Sequence, residues 1–256
     1  MSAGIDWYSS NQFESARSET MKKMLINSLI APVAEPRAFL LGGQSGAGKS
    51  ALHRICGQML DGNAIVINGD EFRRSHPHFN EIQERYGVDA PAHTAKWSGA
   101  MTEALIDSFS LQHYNLIIEG TLRTSEVPLG TARLLRGRDY AVALAIMAVK
   151  PEISLVSCQI RYEMMRIAGT VPRATDPAHH DKIVHDIVDN LSTLEDSGLF
   201  EQVLIYNRAG AQLFPASGGT QSASETLRDA IFGSWSEEEQ VHYENLQRQL
   251  QELREQ

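Results

Sequence analysis

Residues 39–50 read FLLGGQSGAGKS, an apolar run that stops at two glycines and passes into a polar turn. Within it, residues 43–50 match G-x-x-x-x-G-K-[ST], the Walker A phosphate loop. Its glycines let backbone N–H groups converge on phosphate oxygens at a helix N-terminus, where the helix dipole also favours an anion. The predicted nucleotide-binding residues are Gly43, Gln44, Ser45, Gly46, Ala47, Gly48, Lys49 and Ser50.

The flanks of this loop support the motif. Residues 38–41 have the pattern of a buried strand, and residues 50–60 have the pattern of a helix. A Gly/Ser loop with an incidental lysine, which is the alternative, does not account for these flanks. We therefore predict ATP and Mg2+ as cofactors, with Lys49 reaching the β- and γ-phosphates and Ser50 ligating the metal.

Composition limits the remaining possibilities. The chain has 256 residues, of which 42% are hydrophobic and 21% charged, as expected for one main α/β domain with appendages. A formal charge of -9 argues against nonspecific binding to nucleic acid or to an anionic membrane. Two cysteines, no basic and apolar leader and no run of 18 apolar residues lead us to expect a soluble, cytoplasmic protein.

Apolar runs and helical periodicity alternate along the chain. Strands are predicted at 38–41, 64–68, 114–118, 140–149 and 202–206. Helices are predicted at 11–30, 50–60, 95–111, 128–136, 153–167 and 179–197, with a last one from Ser236. Strand and helix in repeated alternation predict an α/β P-loop NTPase fold, with a five-stranded, mostly parallel sheet flanked by helices and an extra C-terminal helix.

Acidic residues follow two of the predicted strands. Asp70 comes just after the second strand and Glu119 just after the third. Ligands of open parallel sheets bind beyond the carboxyl ends of the strands, so both acids are expected near the bound phosphates.

Phosphoryl transfer needs a fixed γ-phosphate, neutralised charge and an acceptor hydroxyl relieved of its proton. Asp70 is the candidate general base, and the alternatives for it are a Mg2+ ligand or a turn former. Glu119 is assigned to the metal, through water, or to the substrate. Arg161 and Arg173 suit a clamp on the transferring phosphate, although arginines in such positions also form surface ion pairs.

Five histidines are candidates for a metal site. They are His76, His78, His179, His180 and His185. Because no cysteine or repeated carboxylate accompanies them at ligand spacing, we interpret them as surface or hydrogen-bonding residues.

Taken together, these motifs resemble the zeta toxins of bacterial toxin–antitoxin systems. The matching stretches include Gly42–Ser50, Asp70-Glu71-Phe72-Arg73 with His76-Pro77, Met101-Thr102-Glu103-Ala104, Glu119-Gly120-Thr121 with Arg123-Thr124, Arg161-Tyr162-Glu163 and Arg173-Ala174-Thr175. The resemblance spans about residues 37–210, and the tail beyond Pro215 has no counterpart in it.

The resemblance implies ATP-dependent phosphorylation of the 3′-hydroxyl of the amino sugar in UDP-N-acetylglucosamine, which blocks synthesis of cell-wall precursors. It implies Lys49 on ATP, Asp70 as base and Arg161 with Arg173 on the phosphates. The residues implied for the sugar-nucleotide pocket are Asp70, Arg73, Glu103, Glu119, Thr121, Arg123 and Thr131. It also implies a small helical antitoxin as partner. Leu122 departs from the smaller residue usual at its position and leaves the sugar identity open.

Two alternatives to this activity are a kinase of the same fold with another acceptor, such as a dinucleotide, and an ATP-dependent regulator that transfers nothing. The domain prediction is a P-loop kinase domain at 1–214, including an N-terminal helix at 10–30, and a linker with an acidic amphipathic helix at 215–256. The N-terminal helix packs on the core or binds a partner. The C-terminal helix docks on its own domain, pairs with a copy or stays exposed.

Overall fold

The computed structural model describes residues 5–26, 29–172, 174–216 and 219–256. Its strands are β1 (Arg37–Gly42), β2 (Ile65–Ile67), β3 (Leu116–Ile118), β4 (Ala141–Ala148), β5 (Gln202–Asn207) and β6 (Gln212–Phe214). Its helices are α1 (Ser10–Met24), α2 (Ser50–Met59), α3 (Gly69–Phe72), α4 (Phe79–Tyr86), α5 (Ala90–His93), α6 (Ala95–Ser110), α7 (Glu126–Arg136), α8 (Pro151–Ile167), α9 (Pro177–Asp196), α10 (Ala223–Phe232) and α11 (Glu237–Arg254).

The strands form one sheet in the order β2-β3-β1-β4-β5-β6. The first five are parallel, which confirms the predicted α/β fold and mostly parallel sheet. The predicted strand count of five is wrong, because β6 turns back after β5 and pairs with it antiparallel. A three-residue edge strand is too short to show an alternating pattern in the sequence.

Both faces of the central strands are buried. Alternate residues of β1 and β4 point to opposite faces, with Leu40 and Leu144 on one and Phe39 and Ala145 on the other. Helices α6, α7, α9 and α10 pack on the first face, and α2, α8 and α11 pack on the second. This double cover explains why the inner strands are apolar at nearly every position.

One side of helix α1 packs against α6. Tyr8 and Phe13 meet Trp97 at ring-centroid distances of 4.7 and 5.2 Å, and Met21 contributes to the same core. This agrees with the core-packing alternative for the N-terminal helix. The predicted end at residue 30 is wrong, since the helix ends at Met24 and Leu29 is exposed; residues 27 and 28 lie outside the described part of the chain.

The C-terminal helix docks on its own domain. Leu250 of α11 is buried against Val156 and Ile160 of α8, with Tyr243 and Leu246 partly buried beside them. The apolar stripe of α11 thus faces α8, which is the first of the three environments predicted for this helix. The division at residue 214 stays a prediction, although α10 and α11 both pack on the sheet domain.

None of the described helices offers an apolar stretch that could span a lipid bilayer.

Candidate active site

The phosphate loop joins the end of β1 to the start of α2. Gly43, Gly46 and Gly48 have φ values of +135°, +78° and +90°, which favour glycine. The loop lies at the carboxyl edge of the sheet and ends at the N-terminus of α2, where unpaired amides and the helix dipole attract phosphate. The loop therefore has the geometry that its sequence motif predicts.

Lys49 lies nearly buried inside this loop. Its ammonium donates to the carbonyl oxygens of Gly43 at 2.8 Å and Gln44 at 3.3 Å. Burial lowers the pKa of Lys49 from its ordinary value; the Glu119 carboxylate opposes this effect, and the Arg161 guanidinium adds to it. A triphosphate in the loop brings negative charge that stabilises the protonated amine.

A buried polar network holds the loop against α8 and α9. The Gln44 side chain, with no exposed surface, donates to the Val149 carbonyl at 2.9 Å and to Ser154 Oγ at 3.2 Å. Ser154 Oγ in turn lies 2.8 Å from Nε2 of the buried His180 and donates to the Pro151 carbonyl. The hydroxyl thus joins the loop to α8 and α9, which fixes the loop relative to two helices.

Replacing Ser154 with alanine is expected to lower the free energy of unfolding by about 1–3 kcal/mol, because Gln44 and His180 each lose a buried partner. Urea denaturation measures this change. Thr193→Ala is the control, because that exposed hydroxyl bonds only within α9, and its effect should stay below about 0.5 kcal/mol. Equal stability of the two variants would contradict the role given to the network.

Gly46 tolerates no side chain. A Cβ there would lie 2.0 Å from the Ser154 carbonyl oxygen and 2.8 Å from Cys158 Sγ, and the φ of +78° adds strain. Gly46→Ala is expected to cost at least about 2 kcal/mol of unfolding free energy and to weaken nucleotide binding. Thermal or urea unfolding tests this against Gly57→Ala on α2, which meets nothing within 4 Å and should be neutral or stabilising.

Asp70 lies in the first turn of α3, immediately beyond β2. Asn68 caps this helix by accepting from the Asp70 amide at 3.1 Å. Arg73 donates from Nε to the Asp70 carboxylate at 2.8 Å and from a terminal nitrogen to the Pro91 carbonyl at 2.7 Å. The carboxylate is therefore oriented by a braced arginine while its side chain remains about half exposed, at 54%.

Glu119 follows β3 on the neighbouring strand end. Its carboxylate lies 4.0 Å from the Lys49 ammonium and 3.0 Å from His53 Nε2. Lys49 is the N-cap of α2, and His53 lies one helical turn after it, so both side chains reach the same acid. Glu119 therefore connects the phosphate loop to the edge of the sheet.

A cleft of about 320 Å³ opens between the strand ends and α7. It brings together five of the predicted substrate residues, which are Asp70, Glu119, Thr121, Arg123 and Thr131. Arg73 is joined to the cleft through Asp70. Glu103 is not among the lining residues, because it occupies an exposed position on α6.

Leu122 shapes the floor of this cleft. Its φ is +53°, unusual for a branched residue, and its side chain is buried so close to Gly42 that a Cβ on Gly42 would come within 2.3 Å of it. Asn190 of α9 donates to the Leu122 carbonyl at 2.9 Å. The Leu122 side chain is thus accommodated in the core, and its backbone is held by α9.

Arg161 and Arg173 are the two arginines predicted to clamp the transferring phosphate. Arg161 is exposed on α8 and close enough to influence the Lys49 ammonium. Arg173 lies outside the described residues. Their roles on phosphate stay predictions.

Two residues at the site were not singled out from the sequence. Arg208 follows β5 and donates to the Gly46 carbonyl at 3.2 Å and to Ser157 Oγ at 2.8 Å. His53 contacts Glu119 as described above. Only their positions in the sequence indicate a place at the site. Arg208 follows a strand at the edge where the loop lies, and His53 is spaced four residues from Lys49.

The donors near the loop suit Mg2+. Ser50 presents its hydroxyl at the first position of α2, and Asp70 and Glu119 supply carboxylate oxygens at the adjacent strand ends. Among the described residues, no three His, Cys, Asp or Glu side chains are grouped closely enough to hold an ion by themselves. Mg2+ takes few protein ligands and completes its shell with phosphate and water, so a hydroxyl and a carboxylate suffice as its protein ligands.

Comparisons with known proteins agree with this geometry. A family model described as Zeta toxin matches residues 25–218. Toxin PezT of Streptococcus pneumoniae serotype 4 (strain ATCC BAA-334 / TIGR4) is 40% identical over 250 residues, covering 97% of this chain and 98% of that protein. Toxin zeta of Streptococcus pyogenes is 38% identical over 232 residues, covering 90% of this chain and 80% of that protein.

A solved structure from the PezAT chromosomal toxin–antitoxin system of Streptococcus pneumoniae superposes with a TM-score of 0.90 at 38% identity, covering 99% of this chain and all of that one. These coverages correct the view that the tail beyond Pro215 has no counterpart, because the alignments include most of it. The resemblance seen in the motifs is confirmed, and the chain belongs to the zeta toxin family, with its kinase-like P-loop fold.

Proposed function

We propose that this chain is an ATP-dependent kinase that phosphorylates the 3′-hydroxyl of the amino sugar in UDP-N-acetylglucosamine and thereby acts as a toxin on cell-wall precursor synthesis. The observation that carries the proposal is the cleft beside the phosphate loop. It is lined by Asp70 and Glu119, and Glu119 lies 4.0 Å from Lys49, so donor and acceptor sites share a boundary.

The loop amides and Lys49 hold the β- and γ-phosphates of ATP. Ser50 and Glu119 would hold Mg2+, which when bound neutralises charge on the phosphate oxygens. Arg161 approaches the same region from α8, and Arg173 is assigned to the transferring phosphate with it. The protein contributes mainly position and charge, which is what phosphoryl transfer requires.

Asp70 takes the proton of the acceptor hydroxyl. Its carboxylate faces the cleft, and the ion pair with Arg73 holds it in one orientation without burying it. The oxygen freed of its proton attacks the γ-phosphorus, the bond from that phosphorus to the β-bridging oxygen breaks, and ADP leaves. Glu119, paired with Lys49 and His53, is better placed to order the phosphate side of the site.

The acceptor lies along the cleft wall made by the loop after β3 and by α7. Thr121, Thr131 and Arg123 offer two hydroxyls and a cation, a set that suits a sugar joined to a diphosphate. Glu103 is proposed as a substrate residue on the motif match alone, since it does not line the cleft.

A transfer assay tests the proposal. Purified protein with γ-labelled ATP is incubated separately with UDP-N-acetylglucosamine, UDP-glucose and a dinucleotide. Label should enter UDP-N-acetylglucosamine at a rate at least about tenfold above the others, reflecting contacts to the acetamido group. No label in any UDP-sugar, or preferential label in the dinucleotide, rejects the acceptor proposed here.

We also propose a cytoplasmic location and a small helical antitoxin that blocks the nucleotide site. The support is family membership, together with the toxin–antitoxin system from which the PezAT structure comes. Co-expression with a candidate antitoxin should relieve growth arrest, and the purified complex should fail to bind ATP. A complex that binds ATP as well as the free toxin does contradicts the blocking mode.

A further inference from the structure

The segment between β3 and α7 carries two polar residues of the acceptor cleft. Residues 119–125 connect these elements without regular secondary structure. Thr121 and Arg123 both line the cleft, and Leu122 between them is buried in the core. The directions of the two polar side chains therefore depend on how the backbone is held at Leu122.

The backbone at Leu122 is strained. Its φ of +53° lies in the left-handed region, which a branched side chain rarely adopts. Such a conformation persists only where the surrounding structure enforces it. Relaxation to a negative φ would rotate the chain on one side of Leu122 relative to the other, and the side chains of Thr121 and Arg123 would no longer share their present directions.

Two contacts hold Leu122 in this conformation. Its side chain packs over the end of β1, so closely that a Cβ on Gly42 would lie 2.3 Å from Leu122 Cδ1. Asn190 of α9 donates from its side-chain amide to the Leu122 carbonyl at 2.9 Å. Among the described residues, Asn190 is the one whose side chain hydrogen-bonds to the backbone of residues 120–124. Because the carbonyl belongs to the peptide that leads into Arg123, this bond fixes the plane of that peptide.

Helix α9 supports the donor and acceptor sides of the site at different points. His180, near its start, contacts Ser154 in the network behind the phosphate loop. Asn190 is ten residues further along, which is about 15 Å on a helix axis. A change at Asn190 is thus far from the contact that supports the nucleotide side, and its effect should fall on the acceptor side.

We propose that Asn190 is a positioning residue for the acceptor. It does not line the cleft, and it acts through the Leu122 carbonyl, which keeps Thr121 and Arg123 directed at the sugar nucleotide. The inference rests on the proposed function, because it takes this cleft to hold the acceptor. The polar groups of a binding site contribute affinity only when their positions are fixed before the ligand arrives.

Calorimetric binding of UDP-N-acetylglucosamine and of ATP to the full-length protein tests this role. Asn190→Asp keeps the shape of the side chain but puts a carboxylate oxygen where the amide donated, and that oxygen repels the Leu122 carbonyl. It should weaken UDP-N-acetylglucosamine by about tenfold and change ATP affinity by less than about twofold. Asn190→Ala, which also removes the donor, should act in the same direction. Asp189→Asn makes the reverse exchange at an exposed neighbouring position and should change neither affinity.

Transfer kinetics and a double-mutant cycle distinguish positioning from general damage. Asn190→Asp should raise KM for UDP-N-acetylglucosamine by about tenfold and leave kcat within about threefold, because Asp70 lies on a different element. In a Thr121→Ala/Arg123→Ala background the same change should raise KM by at most about twofold, since the side chains through which Asn190 acts are already gone.

The outcomes separate this proposal from the kinase proposal. Wild-type affinity for UDP-N-acetylglucosamine in both Asn190 variants, or equal weakening of UDP-N-acetylglucosamine and ATP, overturns the role of Asn190 and leaves the kinase proposal standing. A full tenfold effect of Asn190→Asp in the background without Thr121 and Arg123 side chains overturns it as well. A wild-type protein that binds UDP-N-acetylglucosamine without transferring phosphate to it overturns the kinase proposal alone, and one that does not bind it overturns both.

Discussion

Asp70→Asn is expected to slow phosphoryl transfer by about 10²- to 10⁴-fold, because the amide cannot accept the proton of the acceptor hydroxyl. ATP affinity should stay within about twofold of wild type, since Asp70 is not part of the phosphate loop. The asparagine oxygen still accepts from Arg73, so the local geometry is preserved. Single-turnover transfer and calorimetric ATP binding measure the two effects separately.

Glu71→Gln is the matched control. Glu71 is the next residue on α3, is exposed and does not line the cleft, so its variant should transfer at the wild-type rate. If Asp70→Asn transferred as fast as this control, Asp70 would be a turn former and not the base. If Asp70→Asn lost ATP binding as well, Asp70 would contribute to nucleotide binding, and its loss of transfer would no longer identify a base.

Lys49→Ala is expected to reduce transfer by about 10³-fold and to abolish growth arrest on expression, because the γ-phosphate loses its buried cation. The free protein should not become less stable. Burial lowers the pKa of Lys49, which means that the folded state disfavours its charged form, and removing the amine removes that cost. Transfer, colony counts and an unfolding curve test the three parts.

Lys182→Ala serves as its control, since that lysine is exposed and pairs with Asp186 at the surface. It should change neither transfer nor growth arrest. Persistent arrest with Lys49→Ala would mean that toxicity has a source other than phosphoryl transfer. A large loss of stability in Lys49→Ala would show that its contacts to the Gly43 and Gln44 carbonyls outweigh the cost of its burial.

The parts of the fold that the sequence predicted are those with strong local patterns. The β1 strand, the glycine loop and α2 follow from one motif, and the acids after β2 and β3 follow from strand ends. Their meeting in one cleft depends on parallel strands ending at one edge, which is a general rule of this topology. The sequence alone therefore predicts that Asp70 and Glu119 lie close together.

Other features had weak or misleading local signals. Helices α4 and α5 lie within residues 79–93, a polar stretch for which the sequence pattern predicts no helix. Helix α10 follows a capping box of Ser222 and Glu225, but the Gly, Ser and Thr residues just before it indicated a linker. In both regions tertiary packing outweighs local composition, as Ile82 and Leu227 show by being fully buried.

The polar network around the loop shows a different limit. Gln44, Ser154 and His180 are brought together from the loop, α8 and α9, and no spacing in the sequence relates them. His180 was correctly interpreted as a hydrogen-bonding histidine, but its partner could come only from the fold. Arg208 reaches the loop across the same tertiary contact and has no local motif of its own.

The most direct test of the central claim compares two acceptors in a single-turnover transfer from γ-labelled ATP, namely UDP-N-acetylglucosamine and its 3′-deoxy analogue. If Asp70 activates the sugar hydroxyl beside the phosphate loop, label should appear on UDP-N-acetylglucosamine and none on the 3′-deoxy analogue. Equal labelling of both, or consumption of ATP with label only in free phosphate, would contradict it.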